Sequence, residues 1–206
     1  MFRFIASRHA MPFIFALSIL FVLNMAHANN LQQIQSIVDQ VIATLNNSEL
    51  SKPENQQQRR DELRRVIYQQ FDFEKMAQSA VGFKWQKFKP EQKKKFVELF
   101  RQILENAYLT KIERYQGEKF IFNKEVELSP ELSRVDSVVY ASNGQNFNIS
   151  YHLYPTKEGW KIFDLTIEGV SVVANYRSQF NQILGNSTID KLIEMLEKKV
   201  SENNKL

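Results

Sequence analysis

The hydrophobic period of this chain changes twice, and that change bounds its fold more tightly than any other feature. Up to about Tyr115 apolar side chains recur at helical spacing; from about Lys119 to Glu168 apolar and polar residues alternate with a period of two. Helical spacing returns after Gly169. Runs segregated in this way define an α+β order.

Leu31, Ile34, Ile37, Val38, Val41, Ile42 and Leu45 form an amphipathic stripe whose opposite face is Gln, Asp and Ser. After a polar turn region at Asn46 to Pro53, a second helix begins near Asn55 and buries Leu63, Val66 and Ile67. Asp72 is placed to cap a short helix from Phe73 to Val81, which Gly82 stops. Pro90 suits a first helical turn and Glu91 the positive end of the dipole, so a long helix is expected from Pro90 to about Tyr115. Its apolar residues Phe96, Val97, Leu99, Phe100, Ile103, Leu104, Ala107, Tyr108 and Ile112 span more than the roughly 100° that one packed face requires. That width predicts apolar contact on two sides.

Four strands are expected, at about Lys119 to Leu128, Arg134 to Ala141, Gln145 to Tyr154 and Gly159 to Glu168. Ser129-Pro130, Asn143-Gly144 and Pro155 to Gly159 separate them, and Asn-Gly between alternating runs is a strong hairpin signal. An antiparallel meander follows. Phe147, Ile149, Tyr151 and Leu153 point to one face of the third strand, and Phe163, Leu165 and Ile167 to one face of the fourth, opposite Asp164, Thr166 and Glu168. The final helices run from Val172 to Leu184 and through Ile189, Leu192, Ile193, Leu196 and Val200.

Arg3, Arg8 and His9 precede an apolar run from Met11 to Met25 that ends in Ala26-His27-Ala28, the pattern of a cleaved secretory signal peptide over residues 1–28. Residues 29–206 then form a single domain. The formal net charge of +4 falls by the two charges of Arg3 and Arg8, and a near-neutral exported chain is a poor nucleic-acid binder. Cysteine is absent, which excludes disulfides, thiolate nucleophiles and sulfur metal sites. His152 is the sole histidine of residues 29–206, so a histidine-built metal centre is excluded too. No cofactor is expected. No later apolar run is long enough to span a bilayer, which predicts a free extracytoplasmic protein, periplasmic in a diderm bacterium.

Candidates for chemistry are sparse. His152 is the single base available to a nucleophile, and it falls on the polar side of a strand. Asp164 and Glu168 share a strand face but stand about 13 Å apart along it, too far to share a proton. Lys84, Lys87, Lys89, Lys93, Lys94 and Lys95 make a dense basic patch, read as a solvated face or as a docking patch for an acidic partner or an anionic lipid surface.

Two stretches resemble one family closely. Phe71-Asp72-Phe73, Met76-Ala77, Gly82, Trp85 and Pro90-Glu91-Gln92 are similar to the first signature of the MlaC family, the toluene-tolerance periplasmic proteins. Gly159-Trp160-Lys161-Ile162-Phe163-Asp164, Ile167-Glu168-Gly169-Val170-Ser171-Val172-Val173 and Asn175-Tyr176-Arg177-Ser178-Gln179-Phe180 resemble its C-terminal pattern almost without departure. The resemblance, over roughly Ile67 to Leu196, implies N- and C-terminal helices packed on a curved four-stranded antiparallel sheet, partly NTF2-like, with an internal apolar pocket. It implies a monomeric periplasmic phospholipid carrier, without catalysis. Its partners would be an outer-membrane lipoprotein and porin complex and an inner-membrane ABC transporter with an MCE-domain subunit, in the upkeep of outer-membrane lipid asymmetry.

On that reading Phe100, Leu104, Tyr108, Ile149, Tyr151, Phe163, Val170, Val173 and Tyr176 contact acyl chains, and Arg177 meets either a phosphate or a buried carboxylate. Two other readings compete. One is an enzyme on a related scaffold, acting on a small apolar substrate through His152, Asp164 or Glu168. The other is an adaptor whose apolar surface meets protein.

Overall fold

Most helices begin where a side chain or a proline attends to the free N–H groups of the first turn. The computed structural model describes residues 29–203, so the expected signal peptide lies outside the described residues. In α1 (Asn30–Leu45) the Asn29 side chain accepts from the Gln32 N–H at 3.1 Å. Helix α2 (Gln56–Tyr68) follows a 3-10 turn at Pro53–Asn55. Asp72 caps α3 (Phe73–Val81) by accepting from the Lys75 N–H at 2.8 Å, and the helix ends at Gly82, whose φ of 68° a side chain would strain. Pro90 opens α4 (Pro90–Glu113), and the Gln92 side chain accepts from the Lys89 N–H at 2.9 Å. Ser171 caps α5 (Val172–Asn186), which α6 (Ile189–Asn203) follows. Among the described residues no helix is long and apolar enough to cross a membrane.

The sheet is an antiparallel meander in the order β1 (Lys119–Ser129), β2 (Leu132–Tyr140), β3 (Asn146–Thr156), β4 (Gly159–Ile167) and β5 (Val170–Ser171). It has five strands rather than the four expected. The chain does not leave the sheet at Glu168 but reverses over Glu168-Gly169, both at positive φ (49° and 78°), and pairs Ile167 with Val170. Such two-residue reversals suit the twist of paired strands. Glu168 tolerates its left-handed backbone because Asn148 holds it on both sides: its N–H donates to the Asn148 carbonyl at 3.0 Å, and its carboxylate accepts from the Asn148 N–H.

A second departure changes which residues face inward. His152 pairs with Asp164 but Leu153 pairs with Ile162, so Phe163 is an extra residue, a β-bulge. Beyond the bulge Ile162 joins Leu153 and Leu165 joins Tyr151 on the face toward α1. Phe163 turns to the other face, its ring 6.4 Å from His152 and 5.7 Å from Tyr154.

Buried side chains gather in three clusters. In one, α1 lies on the sheet through Ile34, Ile37, Val135, Tyr151, Leu153 and Ile162. In the largest, α3, α4, α5 and α6 meet around Phe96, Phe100, Tyr176, Phe180 and Leu192. The third is Leu45, Leu63 and Leu109, where α1, α2 and α4 come together. The α2–α4 contact is otherwise made by long polar side chains: Arg60 with Glu113 at 2.8 Å and Arg64 with Glu105 at 2.5 Å. The wide stripe of α4 is thus divided between two apolar clusters, in line with its expected contact on two sides.

Candidate functional site

The inner face of the sheet is covered unevenly. Beneath α1, Val135 and Leu153 are 0% exposed. The same face continues through Phe122, Ile149, Leu165 and Ile167, which are only half-buried. Leu165 packs against both the α1 cluster and the helical cluster, and Ile167 and Tyr108 against the helical one. These residues therefore mark the boundary between the two clusters. Helix α4 lies closely along α6 and α3, and among the described residues its backbone has no comparable approach to any strand. Of the α4 side chains, Tyr108 is half-buried against the same helical cluster as Leu165 and Ile167.

The expected tail contacts separate into groups against this geometry. Ile149 and Tyr151 lie on the inner face, Ile149 half-buried and Tyr151 buried. Burial pushes the Tyr151 hydroxyl up to about 12, opposed by its hydrogen bond with Ser137. Tyr108 is half-buried on α4, with Lys111 Nζ 5.1 Å from its ring centroid. Burial and the Asp164 charge raise its hydroxyl pKa. Leu104, Val173 and Tyr176 are buried in the helical cluster near that boundary. Phe100 is 0% exposed, with the Tyr176 ring at 5.1 Å, Phe180 at 5.5 Å and Phe96 at 6.0 Å, the environment of a packed core residue.

Two of the nine lie elsewhere. Phe163 faces away because of the bulge, correcting the face it was given beside Leu165 and Ile167. Val170 is 60% exposed on the short edge strand β5. Leu165 and Ile167 hold the inner face that alternation gives them, Phe122 joins them from β1, and before the bulge Ile162 takes the inner position that Phe163 was given. Among the described residues Arg177 pairs with no carboxylate: its Nε donates to the Ser79 carbonyl at 2.7 Å, tying α5 to the last turn of α3.

The three residues of the enzyme reading are engaged in structure. Asp164 accepts from the Val173 N–H at 3.0 Å and from Ser171 Oγ at 2.5 Å, so it finishes the cap of α5. Glu168 holds its turn. His152 Nε2 is 2.9 Å from Thr166 Oγ1 on the outer face, and burial lowers its pKa. Among the described residues no group of His, Asp and Glu could hold a metal ion. Two open grooves mark the surface. One, of about 790 Å³, is lined by Thr44 of α1, Asn47 of the segment that follows it and Asp61 of α2. The other, of about 470 Å³, lies between Phe73, Tyr154 and Lys161, and neither includes an expected tail contact.

In the basic segment, Lys95 pairs with Glu197 at 2.8 Å and Lys93 lies 5.4 Å over the Trp85 ring. Lys87, Lys89 and Lys94 are exposed and Lys84 is half-buried.

A five-stranded antiparallel meander backed by helices on its inner face, with a half-covered apolar strip where two clusters meet, defines an α+β class built around that strip. The family model described as MlaC protein matches residues 35–198, and the chain belongs to the MlaC family. It is also similar to a solved structure described as the phospholipid-binding protein from Ralstonia solanacearum in complex with a phospholipid. That similarity has a TM-score of 0.74 at 22% identity and covers 84% of this chain and 97% of the other. A search of curated proteins finds no match.

Proposed function

We propose that this chain is a soluble periplasmic phospholipid carrier that holds acyl chains between the inner face of the sheet and α4 and performs no bond chemistry. The observation that carries this reading is the incompletely covered strip of Phe122, Ile149, Leu165 and Ile167 at the boundary of two clusters. Membership of the MlaC family and a fold shared with a protein solved in complex with a phospholipid support it. Leu104, Tyr108, Tyr151, Val173 and Tyr176 would complete the lining.

Energetics explain why a carrier is needed. Burial contributes about 0.8 kcal/mol per methylene, so two chains with about 30 methylenes resist transfer to water by about 20 kcal/mol. A lipid crossing an aqueous space therefore needs its tails covered throughout, with release at a docked partner that offers an apolar path. The proposed partners are an outer-membrane lipoprotein and porin complex and an inner-membrane ABC transporter with an MCE-domain subunit. Residues 1–28 would direct export. The engagement of Asp164 and Glu168 in capping and turn contacts favours carriage over catalysis.

The test is native mass spectrometry of protein purified from cells, followed by lipid extraction and uptake from liposomes. A carrier retains a phospholipid and acquires one from vesicles. Protein that emerges free of phospholipid and takes none up would refute the reading, and detergent-sensitive self-association without lipid would turn it toward an adaptor.

A further inference from the structure

The basic segment carries an aromatic side chain that the core does not claim. Gly82, with its positive φ, ends α3 and opens a 3-10 turn over Gly82–Lys87. Two aromatic residues of the segment point inward: Trp85 and Phe88 stack at 5.5 Å and both meet Phe96, at 6.2 and 5.5 Å. Anchored by that pair, the turn holds Phe83 outward, 76% exposed. A largely exposed phenylalanine beside two buried aromatics is not a core residue displaced by a loose loop.

Cations surround this aromatic. Lys84, Lys87 and Lys89 follow within six positions, and Lys93 and Lys94 begin the next helix. The lysine ion pairs of the described residues use Lys52, Lys95, Lys161, Lys191 and Lys198, leaving these five without a carboxylate. Glu91 is the acid interspersed among them.

The choice of cation points to the kind of partner. Among the described residues, two of the three inter-helix carboxylate pairs use arginine, Arg60–Glu113 and Arg64–Glu105, where the planar fork matches a carboxylate, and the third uses Lys95, whose partner is Glu197. The 82–95 segment contains lysine and no arginine. Lysine is a hydrated point charge on a flexible stem, suited to a diffuse layer of phosphates rather than to fixed carboxylates. A single rigid aromatic among such charges inserts at the headgroup boundary of a bilayer.

We propose that Phe83 with Lys84, Lys87, Lys89, Lys93 and Lys94 forms a docking surface for the anionic phospholipid headgroups of a membrane. The surface holds the protein reversibly on the bilayer and is separate from the strip that takes the acyl chains. Phe83 enters the interfacial layer and the lysines contact phosphates around it. Each lysine near an anionic surface contributes about 1 kcal/mol, about a fivefold change in partition, so removal of three costs about a hundredfold.

Flotation with vesicles of phosphatidylglycerol and phosphatidylethanolamine tests this, beside vesicles of phosphatidylcholine alone. The intact protein should float with the anionic vesicles at low salt, leave them at about 0.5 M salt and ignore the neutral ones. The triple variant Lys87→Gln, Lys89→Gln, Lys94→Gln should bind about a hundredfold less. Phe83→Ser should bind about tenfold less with an unchanged charge. Neither variant should alter the phospholipid found by native mass spectrometry, so a protein that floats but carries no lipid defeats the carrier reading and leaves this one standing. Equal flotation on neutral vesicles, no flotation at all, or capture of an acidic protein without vesicle binding would overturn the proposal.

Discussion

Three side chains on one apolar path separate packing from cargo contact. Phe100 is ringed by Phe96, Tyr176 and Phe180, so Phe100→Ala should lower the unfolding free energy by about 3–5 kcal/mol in a urea titration and leave the bound lipid in place. Ile149 is half-buried on the strip, and Ile149→Trp should behave oppositely, cutting lipid retention severalfold by mass spectrometry while far-ultraviolet dichroism stays unchanged. If both variants lose lipid alike, the division drawn between core and strip is wrong. Tyr151 supplies the pH dependence. Its hydroxyl is raised from 10 to about 12, so the folded state holds the proton more tightly than the unfolded chain. That contribution is complete below pH 10 and is lost as pH rises toward 12, at about 1.4 kcal/mol per pH unit. Tyr151→Phe should reduce this alkaline slope by one proton, read from denaturation midpoints at successive pH values.

At the level of elements, legibility followed the strength of local signals. Asp72, Gly82 and Pro90 are strong boundary signals, and α3 and α4 begin where they place them. The alternation of β3 is unbroken, and Ile149, Tyr151 and Leu153 share one face as expected. Two features escaped. The bulge at Phe163 leaves no compositional trace, because every residue around it is compatible with a strand, and it alone turns Phe163 away from the face of Leu165 and Ile167 and brings Ile162 inward. Strand β5 escaped because its reversal uses Glu168-Gly169 in place of Asn-Gly, and the glutamate keeps its left-handed backbone only through tertiary contacts with Asn148. The geometry around the proposed site was therefore partly legible: alternation places Ile149 and Tyr151 on the inner face together with Leu165 and Ile167, and it misplaces Phe163. Asp164 belongs to the same scale. As part of the α5 cap, Asp164→Ala should cost about 1 kcal/mol, and Asp164→Asn, which keeps an acceptor oxygen, should recover most of it in the same titration. A turnover lost in both variants would instead revive the enzyme reading.

For the whole molecule, the proposed cargo would be part of the stability. A ligand present at about a hundredfold its Kd adds about 2.7 kcal/mol, and a domain of this size moves by about 2–4 °C per kcal/mol. Protein stripped of lipid should melt about 5–10 °C lower in calorimetry, and returning phospholipid should restore the transition. An unchanged melting temperature would mean that no cargo completes the interior. The division of the buried side chains into three clusters carries a further consequence. The α1-and-sheet cluster and the α3–α6 cluster meet through Phe71 and Leu165, which pack against both, while on the α2–α4 side Leu63 and Leu109 are flanked by the Arg60–Glu113 and Arg64–Glu105 pairs. A guest that parted the two clusters would have to displace Phe71 or Leu165 first, so the seam that they close is where loading a cargo and loosening the interior would become the same event.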